Sequence, residues 1–532
     1  MIQVFDIEAR NWNDFQIGGA LTEKGYQSFP TAFELYNYMQ EIGGTWYAHA
    51  GGRYDFRFFM KFLKGTKAKV IIRNSSLINI RLGDFILQDS YALLPFSLKK
   101  LGENFETKHQ KTEFDFEVDF EDKKRLIEYN ENDCYVLAEV LTRFEKEIGQ
   151  LRKTISSQAM KSFTEISPLK NVYREKAIES NFREAYYGGR VEVFKRYGKN
   201  IKMYDVNSMY GSVMRQPLPC SKCLQVRNFY SDWLGIYEIE WECFDGILPV
   251  LPIREDGMLI FRLGTGHGWY TSLEIELAKK KGYKIKVIKG YIWLDQQPLL
   301  KEYVEYWYQK RLESKTLGII SKLMINSLYG RFGIREIGSS LYFQEPKYED
   351  IVKGNWICMS EEDDIWAHDE ILHLRYVYPQ LSAFITSYAR ITLYHYLENC
   401  ENSLYYCDTD SFVTDRDFPV DSNLGGIKIE SKGEGIFIAP KLYSIKTENG
   451  NKIAAKGFYK KQLNHNSFEE ALAGNTDALT TQAIVLRGMK ESLVKDAGFL
   501  TLTNRIRSYS GNFLKRQLMP NGIDTKPYIS NG

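Results

Sequence analysis

The sequence predicts an α+β protein of several domains. Its 532 residues exceed what one compact domain usually holds, and 44% of them are hydrophobic, which is enough for several cores. Strand-like runs alternate with helical patterns through the first 150 residues, and a second strand-rich part begins near Tyr187. Residues 151–185 have a helical pattern that links the two parts.

Each predicted element follows from the spacing of its hydrophobic residues. Residues 4–7, 45–48 and 85–87 are strand-like, and residues 122–147 have apolar side chains at helical spacing. Residues 302–328 predict two helices hinged near 316–318, and residues 381–399 predict another helix. We expect residues 345–368, which are charged and contain two tryptophans, to form an irregular insertion.

Composition and charge exclude several classes of protein. No apolar run approaches the roughly 20 residues of a membrane-spanning helix, and the strand-like start leaves little for a cleavable leader. Seven scattered cysteines favour reduced thiols and an intracellular setting, in which Cys220-x-x-Cys223 is incidental. Residues 441–532 hold fourteen Lys and Arg against seven Asp and Glu, although the whole chain carries only +2. This basic segment suits a phosphate backbone, and a solvated tail explains it almost equally well.

Two carboxylates two residues apart, Asp408 and Asp410, lie between hydrophobic flanks. The flanks predict a β-hairpin with the acids at or beside its turn. In extended backbone, side chains two residues apart project from the same face, so the pair can hold a divalent cation. An isolated pair of this kind is usually an ordinary turn, so the rest of the chain decides between the two interpretations.

Asp205 supplies the next acid. It follows the strand-like run 201–204 and precedes a turn into a helix, so it can meet the hairpin acids and share their cations. We expect Asp205 and Asp410 to be the main ligands, and Asp408 an auxiliary ligand, of two Mg²⁺ ions, with Mn²⁺ as an alternative. Such a pair activates an attacking hydroxyl and stabilises leaving pyrophosphate. Tyr210 is placed to lie under the sugar, where a ribose 2′-hydroxyl would clash.

A helical segment carries a cation, an amide and an aromatic ring on one face. Lys322, Asn326 and Tyr329 fall at helical positions i, i+4 and i+7. These groups suit a triphosphate, a sugar and a base, and Lys310, about three turns upstream, suits a second phosphate contact. For this segment taken alone, a surface helix with an ordinary lysine is the alternative.

Five ordered motifs together resemble those of family B DNA polymerases. Residues 205–210 (Asp-Val-Asn-Ser-Met-Tyr), 322–330 (Lys-Leu-Met-Ile-Asn-Ser-Leu-Tyr-Gly) and 406–411 (Tyr-Cys-Asp-Thr-Asp-Ser) resemble motifs A, B and C. Lys441-Leu442-Tyr443 resembles the K-x-Y motif that contacts the primer terminus. Tyr186-Tyr187-Gly188-Gly189 resembles the Y-x-G-G motif that contacts the template and coordinates two activities. The second motif and the small size are most similar to the protein-primed subgroup of phages and linear plasmids, notably its tectivirus-like members.

The N-terminal acids resemble the 3′→5′ proofreading exonuclease of the same family. Asp6 and Glu8 share a face of the first strand, and Asp55 follows in an Arg-Tyr-Asp-Phe segment. Tyr129-x-x-x-Asp133 places a phenol one helical turn from the fourth acid. The resemblance implies that the four acids hold two metal ions, which activate water against the terminal phosphodiester.

Three further positions take their roles from the resemblance alone. Lys111 matches a supporting catalytic lysine of the protein-primed subgroup. A motif that binds single-stranded DNA matches either Ser90 or the Ser97-Leu98 pair, and both assignments stay open. Ala50 stands where the second exonuclease motif usually has Asn, which predicts weaker proofreading with the metal ligands intact. Gly211 stands where motif A usually has Pro, which loosens a turn without removing a catalytic group.

The resemblance implies an RNase H-like exonuclease domain followed by a right-hand polymerase with palm, fingers and thumb. The expected division is 1–150 exonuclease domain, 151–189 linker, 190–244 and 371–450 palm, 245–298 first insertion (terminal-protein region), 299–335 fingers, 336–370 second insertion, and 451–532 thumb with the basic segment. The second insertion is the one that encircles template and drives strand displacement in the family.

The expected function is therefore a template-directed DNA polymerase that starts on a terminal-protein hydroxyl and elongates with strand displacement and proofreading. The implied partners are DNA, deoxynucleoside triphosphates and a terminal protein. The chain is expected to act as a monomer in the host cytoplasm of a virus or linear plasmid, away from membranes. Synthesis from a nucleic-acid primer, or with no primer, is the alternative within this class. A nuclease or nucleic-acid-binding protein with a vestigial polymerase site is the alternative outside it, and the Asp-Thr-Asp form argues against reverse transcription.

Overall fold

The N-terminal region is built on a mixed β-sheet backed by helices. The computed structural model describes residues 1–73, 76–115, 119–495, 498–511 and 515–530. In this region the elements are β1 (Gln3–Arg10), β2 (Asp14–Thr22), β3 (Gly25–Phe29), α1 (Ala32–Ile42), β4 (Thr45–Ala48), β5 (Lys69–Arg73), β6 (Ser76–Leu82), β7 (Phe85–Asp89), α2 (Leu98–Phe105) and α3 (Lys123–Ile148). Strand β1 pairs in parallel with β4, and β4 with β7, while β2 pairs antiparallel with β1.

Helix α3 lies across β1 and β2. It begins where the Asp122 carboxylate accepts hydrogen bonds from the backbone N–H groups of Lys124 and Arg125, and it ends at Gly149, whose φ is 72°. Its buried face includes Val136 and Val140 at helical spacing. The packing of this face fixes which side chains of α3 stand over the acids of β1.

The second part of the chain forms two further sheets. Its first elements are α4 (Ile155–Ile166), α5 (Glu179–Glu184), β8 (Val191–Val193), β9 (Tyr197–Val206), α6 (Met209–Val213), β10 (Leu218–Val226), β11 (Leu234–Cys243), β12 (Ile253–Glu255), β13 (Met258–Ile260), β14 (Leu263–Thr271), α7 (Ser272–Lys280) and β15 (Lys284–Gln297). Strands β10, β15, β11 and β14 lie side by side in one sheet, which begins upstream of the predicted first insertion at 245–298.

The central elements continue with α8 (Lys301–Glu313), α9 (Lys315–Phe332), β16 (Ile337–Tyr342), α10 (Tyr348–Lys353), β17 (Trp356–Ser360), β18 (Ile365–Ile371), α11 (Pro379–Cys400), β19 (Leu404–Asp408), β20 (Ser411–Thr414), β21 (Ile427–Ala439), β22 (Leu442–Thr447) and β23 (Gly450–Ala455). A seven-stranded antiparallel sheet has the order β23-β22-β21-β9-β20-β19-β8. The predicted hairpin around 406–411 is therefore confirmed as β19 and β20.

Helices α8 and α9 form an antiparallel pair, and α4 packs against α9. The predicted hinge near 316–318 falls instead at Ser314, whose hydroxyl accepts a hydrogen bond from the Leu317 N–H and starts α9. Gly211 of α6 lies close to α9, because a Cβ added there would stand 3.0 Å from Ile325. The glycine that replaces the usual proline thus permits a close contact between α6 and α9.

The expectation of an irregular insertion at 345–368 is wrong. This segment contains α10, β17 and most of β18, and β16 with β18 and β17 extends the N-terminal sheet to ten strands through the pairing of β16 with β5. The partner strand lies more than 260 residues away along the chain, so no local pattern reveals it. The predicted second insertion, 336–370, is consequently part of the same sheet as the N-terminal acids.

The C-terminal elements contact the N-terminal region and the sheet that contains β14. They are α12 (His465–Leu472), β24 (Thr480–Leu486), α13 (Met489–Val494), β25 (Leu502–Ser508), β26 (Gln517–Leu518), β27 (Thr525–Lys526) and β28 (Ile529–Ser530). Met489 and Leu493 of α13 are buried in the hydrophobic core of the N-terminal region, and β28 pairs with β14. Among the described helices, none is long and apolar enough to cross a membrane.

Candidate active sites

Three acids lie on adjacent strands and their connecting turn at the centre of the seven-stranded sheet, and their oxygens are not all within 4.8 Å of one another. In the ladder of β20 and β9, Ser411 stands opposite Asp205. The Val206 N–H donates to the carbonyl oxygen of Asp410 over 2.8 Å, and Asp408 ends β19 opposite Ser411. This register brings together Asp205, Asp408 and Asp410, which we call the hairpin site.

The turn of the hairpin is held by the segment that precedes β8. Thr409 has a φ of 60°, a conformation that a β-branched residue rarely adopts. Its N–H donates to the carbonyl oxygen of Arg190 over 2.7 Å. A Cβ added to Gly189 would stand 2.7 Å from the Thr409 methyl carbon, whereas one added to Gly188 would meet nothing within 4 Å. The second glycine of the Y-x-G-G segment is therefore needed for close contact with the hairpin turn.

A buried group of charges lies behind the hairpin. The Arg190 guanidinium is 2.5 Å from one Glu192 oxygen, and Arg516 is 3.4 Å from the other. All three side chains are less than a tenth exposed. Glu192 stands opposite Cys407 in the pairing of β8 with β19, so the C-terminal segment is tied to the strand that carries Asp408. Removing one partner would leave a buried charge uncompensated, which is costly.

Two lysines contact the acids of the hairpin site. The Lys428 ammonium is 3.0 Å from Asp205 Oδ2, and the Lys441 ammonium is 2.6 and 2.7 Å from the two Asp408 oxygens. Burial, followed by the charges of Asp205 and Asp408, raises the pKa of Asp410 to about 6. When these acids are all ionised they repel one another, and nearby positive charge reduces this repulsion.

The donor set of the hairpin site fits Mg²⁺. Its side chains offer only carboxylate oxygens, which are the ligands that Mg²⁺ prefers, and it carries an excess of acid at one point. Lys441 was predicted from the resemblance to contact a primer terminus, and in this structure its ammonium contacts Asp408. A cation bound at Asp408 would compete with this ammonium for the same two oxygens.

The predicted nucleotide-binding residues lie on α6, α8 and α9. The Tyr210 ring stacks on the Tyr329 ring with centroids 4.2 Å apart and planes at 9°. Lys322 and Asn326 are exposed on α9. Lys310 is 3.0 Å from the carboxylate of Glu313 on its own helix. The helical face predicted from the sequence therefore exists, and its ring adjoins the residue predicted to sense the sugar.

The other predicted DNA contacts differ in exposure. Gly188 is exposed, and Tyr186 is half-buried with a pKa raised to about 12 by burial and then by the neighbouring Tyr329. Tyr443 is buried against Tyr406 and Phe437. Its ring therefore supports the sheet beneath Lys441 in this structure.

A second group of acids lies where α3 crosses β1. One oxygen each of Asp6, Glu8 and Asp133 lies within 4.8 Å of the other two. Asp55 is buried on the short 3₁₀ helix Asp55–Leu63 next to this group. We call these four residues the N-terminal acid site. Its all-carboxylate donor set also fits Mg²⁺.

Burial dominates the electrostatics of the N-terminal acid site. It raises the pKa of Asp6 to about 7, with the charge of Asp133 as the next cause, and it raises the pKa values of Glu8 and Asp55 well above their usual range. The Lys111 ammonium contacts the Asp133 carboxylate and is 2.6 Å from the Tyr129 hydroxyl. The structure thus brings the predicted lysine, phenol and four acids to one place.

Sequence reasoning missed the residues that orient Asp6. The Asn130 side-chain amide donates to Asp6 Oδ2 over 3.2 Å, and the Tyr26 hydroxyl donates to the Asn130 oxygen over 2.9 Å. Asn130 follows Tyr129 directly, but only the packing of α3 on β1 shows that it reaches Asp6. Lys428 was missed for the same reason, since its contact with Asp205 depends on the register of β21 and β9.

The two candidates for the single-strand-binding motif have different environments. Ser90 is fully buried, and its hydroxyl donates to the Ala48 carbonyl and contacts His49 Nδ1 at 3.0 Å. Ser97 is exposed and caps α2 by accepting the Lys100 N–H. Ala50, in the place where Asn is usual, has a φ of 59°, a region that Asn tolerates better than Ala.

Comparison with known proteins shows that this chain is similar to DNA polymerases. A family model described as DNA polymerase type B, organellar and viral, matches residues 36–125 and 119–399. The DNA-directed DNA polymerase of Enterobacteria phage PRD1 is 30% identical over 434 residues, covering 77% of this chain and 75% of that protein. A probable DNA polymerase of Podospora anserina is 28% identical over 550 residues, covering 82% of this chain and 45% of that protein. This chain therefore spans under half the length of the Podospora protein.

A solved structure confirms the predicted fold. Phi29 DNA polymerase complexed with primer-template DNA and incoming nucleotide substrates superposes with a TM-score of 0.75 at 18% identity. The match covers 96% of this chain and 100% of that chain. At this identity the likeness concerns the fold alone.

Gly189→Ala is expected to lower the rate of the reaction at the hairpin site by about ten- to a hundredfold, because the new methyl displaces Thr409 and the acids beside it. Gly188→Ala is the matched control, because a Cβ there meets nothing within 4 Å. Its single-turnover rate at saturating DNA should stay near that of the wild type, since a change in its proposed template contact alters only the affinity for DNA. Single-turnover rates of the two variants provide the measurement. Equal rates in both would contradict the proposed contact.

Asp6→Asn is expected to stabilise the metal-free protein more at pH 8 than at pH 5. The folded-state pKa of Asp6 is raised from 3.8 to about 7, so the unfolded chain loses this proton first and stability falls as the pH rises through that interval. The side-chain amide of asparagine does not ionise, so this loss of stability with rising pH does not occur in the variant. Thermal unfolding in EDTA measures the difference, with the exposed Asp14→Asn as a control. A stabilisation of equal size at both pH values would show that Asp6 is not held protonated.

Proposed function

This chain belongs to the organellar and viral type B DNA polymerases, and we propose that it copies DNA from deoxynucleoside triphosphates, starting on a hydroxyl of a terminal protein. It elongates with strand displacement and removes mispaired 3′ ends. The observation that carries the polymerase assignment is the register that sets Asp205 beside the Asp408–Asp410 turn, next to the helix that presents Lys322 and Asn326. These are the groups that nucleotidyl transfer requires.

At the hairpin site, Asp205 and Asp410 are the main metal ligands and Asp408 is auxiliary. When bound, two Mg²⁺ ions would polarise the attacking hydroxyl and stabilise the leaving pyrophosphate. Lys322 and Lys310 hold phosphates, and Asn326 and Tyr329 lie against sugar and base. Lys310 exchanges its exposed ion pair with Glu313 for phosphate at little cost, because such surface pairs contribute little to stability.

At the N-terminal acid site, Asp6, Glu8, Asp55 and Asp133 bind the metal ions for 3′→5′ hydrolysis. Asn130 orients Asp6 through the hydrogen bond to Oδ2. Lys111 and Tyr129, which are hydrogen-bonded to each other beside Asp133, act on the terminal phosphodiester that is cut. The lysine also balances the charge of Asp133 before metal binds.

Two inserted units support protein priming. The sheet of β10, β15, β11 and β14 lies between the Asp205 strand and α8, and β16–β18 lie between α9 and α11. In the protein-primed subgroup, insertions at these two places serve the terminal protein and strand displacement. The division of the chain predicted from the sequence stays part of this proposal, with 245–298 and 336–370 as the inserted units, and the sheet that contains the first of them also includes β10 and β11, which lie before residue 245.

The proposed grip on DNA uses segments beside the hairpin site. Tyr186, Gly188 and Gly189 contact template, and Lys441 contacts the primer terminus once its ammonium leaves Asp408. Tyr443 acts through the packing beneath Lys441. Either Ser90 or Ser97 belongs to the segment that binds the single strand entering the N-terminal acid site.

The test of protein priming uses labelled deoxynucleoside triphosphates, Mg²⁺ and a linear template, with and without the protein encoded beside this gene. Label joined covalently to that partner, and absent with Asp410→Ala, is the expected result. Extension of an annealed oligonucleotide without a labelled partner would support a polymerase with a nucleic-acid start. No incorporation from either start would support the nuclease alternative.

Two sets of substitutions are expected to separate the two activities. Asp410→Ala should abolish nucleotide incorporation and leave 3′→5′ degradation, because the two acid sites share no ligand. Asp6→Ala combined with Glu8→Ala should do the reverse. Both activities are read from one end-labelled primer on a gel. Synthesis by the first variant, or degradation by the second, would show that the wrong acids were assigned.

Tyr210→Val is expected to relax discrimination against ribonucleotides. The stacked Tyr210 ring is held in place by Tyr329, and its removal opens space for a 2′-hydroxyl. Tyr210→Phe keeps the ring and serves as the control. The ratio of kcat/KM for deoxyribonucleotide and ribonucleotide is the measurement, and an unchanged ratio in the valine variant would place sugar selection elsewhere.

A further inference from the structure

A cleft lies between helix α2 of the N-terminal region and the pair α8–α9. Its volume is about 460 Å³, which is in the range of small-molecule sites. The side chains that line it are Phe96, Lys100, Asn104, Arg311, Ser314, Lys315, Gly318, Ile319 and Lys322. Two units that carry separate catalytic sites thus share one cleft.

Four of the lining residues are cations, namely Lys100, Arg311, Lys315 and Lys322, and none is an acid. In the described part of the chain, no carboxylate lies within ion-pair distance of these four side chains. Cations gathered around one concave surface repel one another and attract anions. The cleft is therefore suited to a ligand with several negative charges.

Contacts between the two units hold the cleft in shape. The Lys315 ammonium donates to the Glu103 carbonyl over 3.0 Å, and the Thr316 hydroxyl donates to the Asn104 carbonyl over 3.0 Å. The Lys100 ammonium lies 4.8 Å from the centroid of the Phe96 ring. These contacts keep Lys100 at the edge of α9.

Two lining residues, Arg311 and Lys322, connect the cleft to the residues proposed to bind the nucleotide. Lys322 shares its helical face with Asn326 and Tyr329. Arg311 donates to the Ser208 hydroxyl over 2.6 Å, and Ser208 immediately precedes the helix that carries Tyr210. Arg311, rather than the neighbouring Lys310 predicted from the sequence, is the α8 cation that lines the cleft.

We propose that this cleft is a polyphosphate site. Lys100 of the N-terminal region and Lys315 of α9 contact a triphosphate before Arg311 and Lys322 hold it, or a pyrophosphate after they have held it. The proposal rests on the proposed polymerase function for its biological ligand. It gives the N-terminal region, which carries the proposed proofreading site, a role in binding the polyphosphate used or released in synthesis. The compact volume favours a small polyphosphate over a nucleic-acid strand.

Direct binding tests the site without any synthesis. The full chain is titrated calorimetrically with inorganic tripolyphosphate in EDTA, and Lys100→Gln is compared with Lys99→Gln. Lys99 is exposed on the same helix and does not line the cleft. The expected result is binding weakened about two- to fivefold by Lys100→Gln, as for loss of an exposed ion pair, and unchanged by Lys99→Gln. Equal affinity in all three proteins would overturn the proposal.

Steady-state kinetics distinguishes the two sources of polyphosphate. A raised KM for deoxynucleoside triphosphate in Lys100→Gln, with kcat and 3′→5′ degradation unchanged, assigns the cleft to substrate arrival. A raised KM for pyrophosphate in the reverse reaction assigns it to product release. Weakened binding of primer-template, with both KM values unchanged, would overturn the proposal in favour of a DNA path. Tripolyphosphate binding through Lys100 in a chain that incorporates nothing would leave the site standing and refute the polymerase function.

Discussion

The pairing of β9 with β20 is the constraint on which the hairpin site depends. It sets Ser411 opposite Asp205. Asp410, which directly precedes Ser411, therefore lies beside Asp205, about 200 residues away along the chain. The Asp408–Asp410 turn is fixed by the Arg190 carbonyl, and the Arg190–Glu192–Arg516 group ties the strand behind it to the C-terminal segment. Residues distant from the hairpin acids along the chain, including Arg516, therefore help to hold the strands and the turn that carry these acids. Sub-ångström placement matters there because nucleotidyl transfer depends on alignment more than on chemical participation by the protein.

The two acid sites balance their charge in different ways. At the N-terminal acid site, burial dominates and raises the pKa values of Asp6, Glu8 and Asp55. At the hairpin site, Lys428 and Lys441 supply ammonium groups to more exposed acids. A metal ion at the first site would compete with protons for the same carboxyl oxygens, so we expect its binding to weaken as the pH falls. A metal ion at the second site would compete with the ammonium groups of Lys428 and Lys441.

Local patterns predicted much of this structure, and long-range register accounts for what they missed. The hairpin of Asp408, the α9 face of Lys322 and the helix of Asp133 follow from periodicity and flanking residues, and the assembled motifs indicated the family. The strands in 345–368 were missed because their partner, β5, lies far away along the chain. Asn130, Lys428 and Arg311 carry no distinguishing local pattern. The packing of α3 on β1, the register of β21 with β9, and the contact of Arg311 with Ser208 before α6 give each a role. Residue identity thus predicted the chemistry, while tertiary contacts determined which neighbours support it.

The central claim is that Asp205 and Asp410 jointly hold the cations of synthesis. The most direct measurement is the number of Mn²⁺ ions bound in the presence of primer-template and a non-hydrolysable deoxynucleotide. It is made by electron paramagnetic resonance on a chain whose N-terminal acid site is inactivated by Asp6→Ala and Glu8→Ala. The account predicts two bound ions, and the loss of at least one of them on Asp205→Asn or Asp410→Asn. An unchanged count in both variants would contradict it and place the metal ions of synthesis elsewhere.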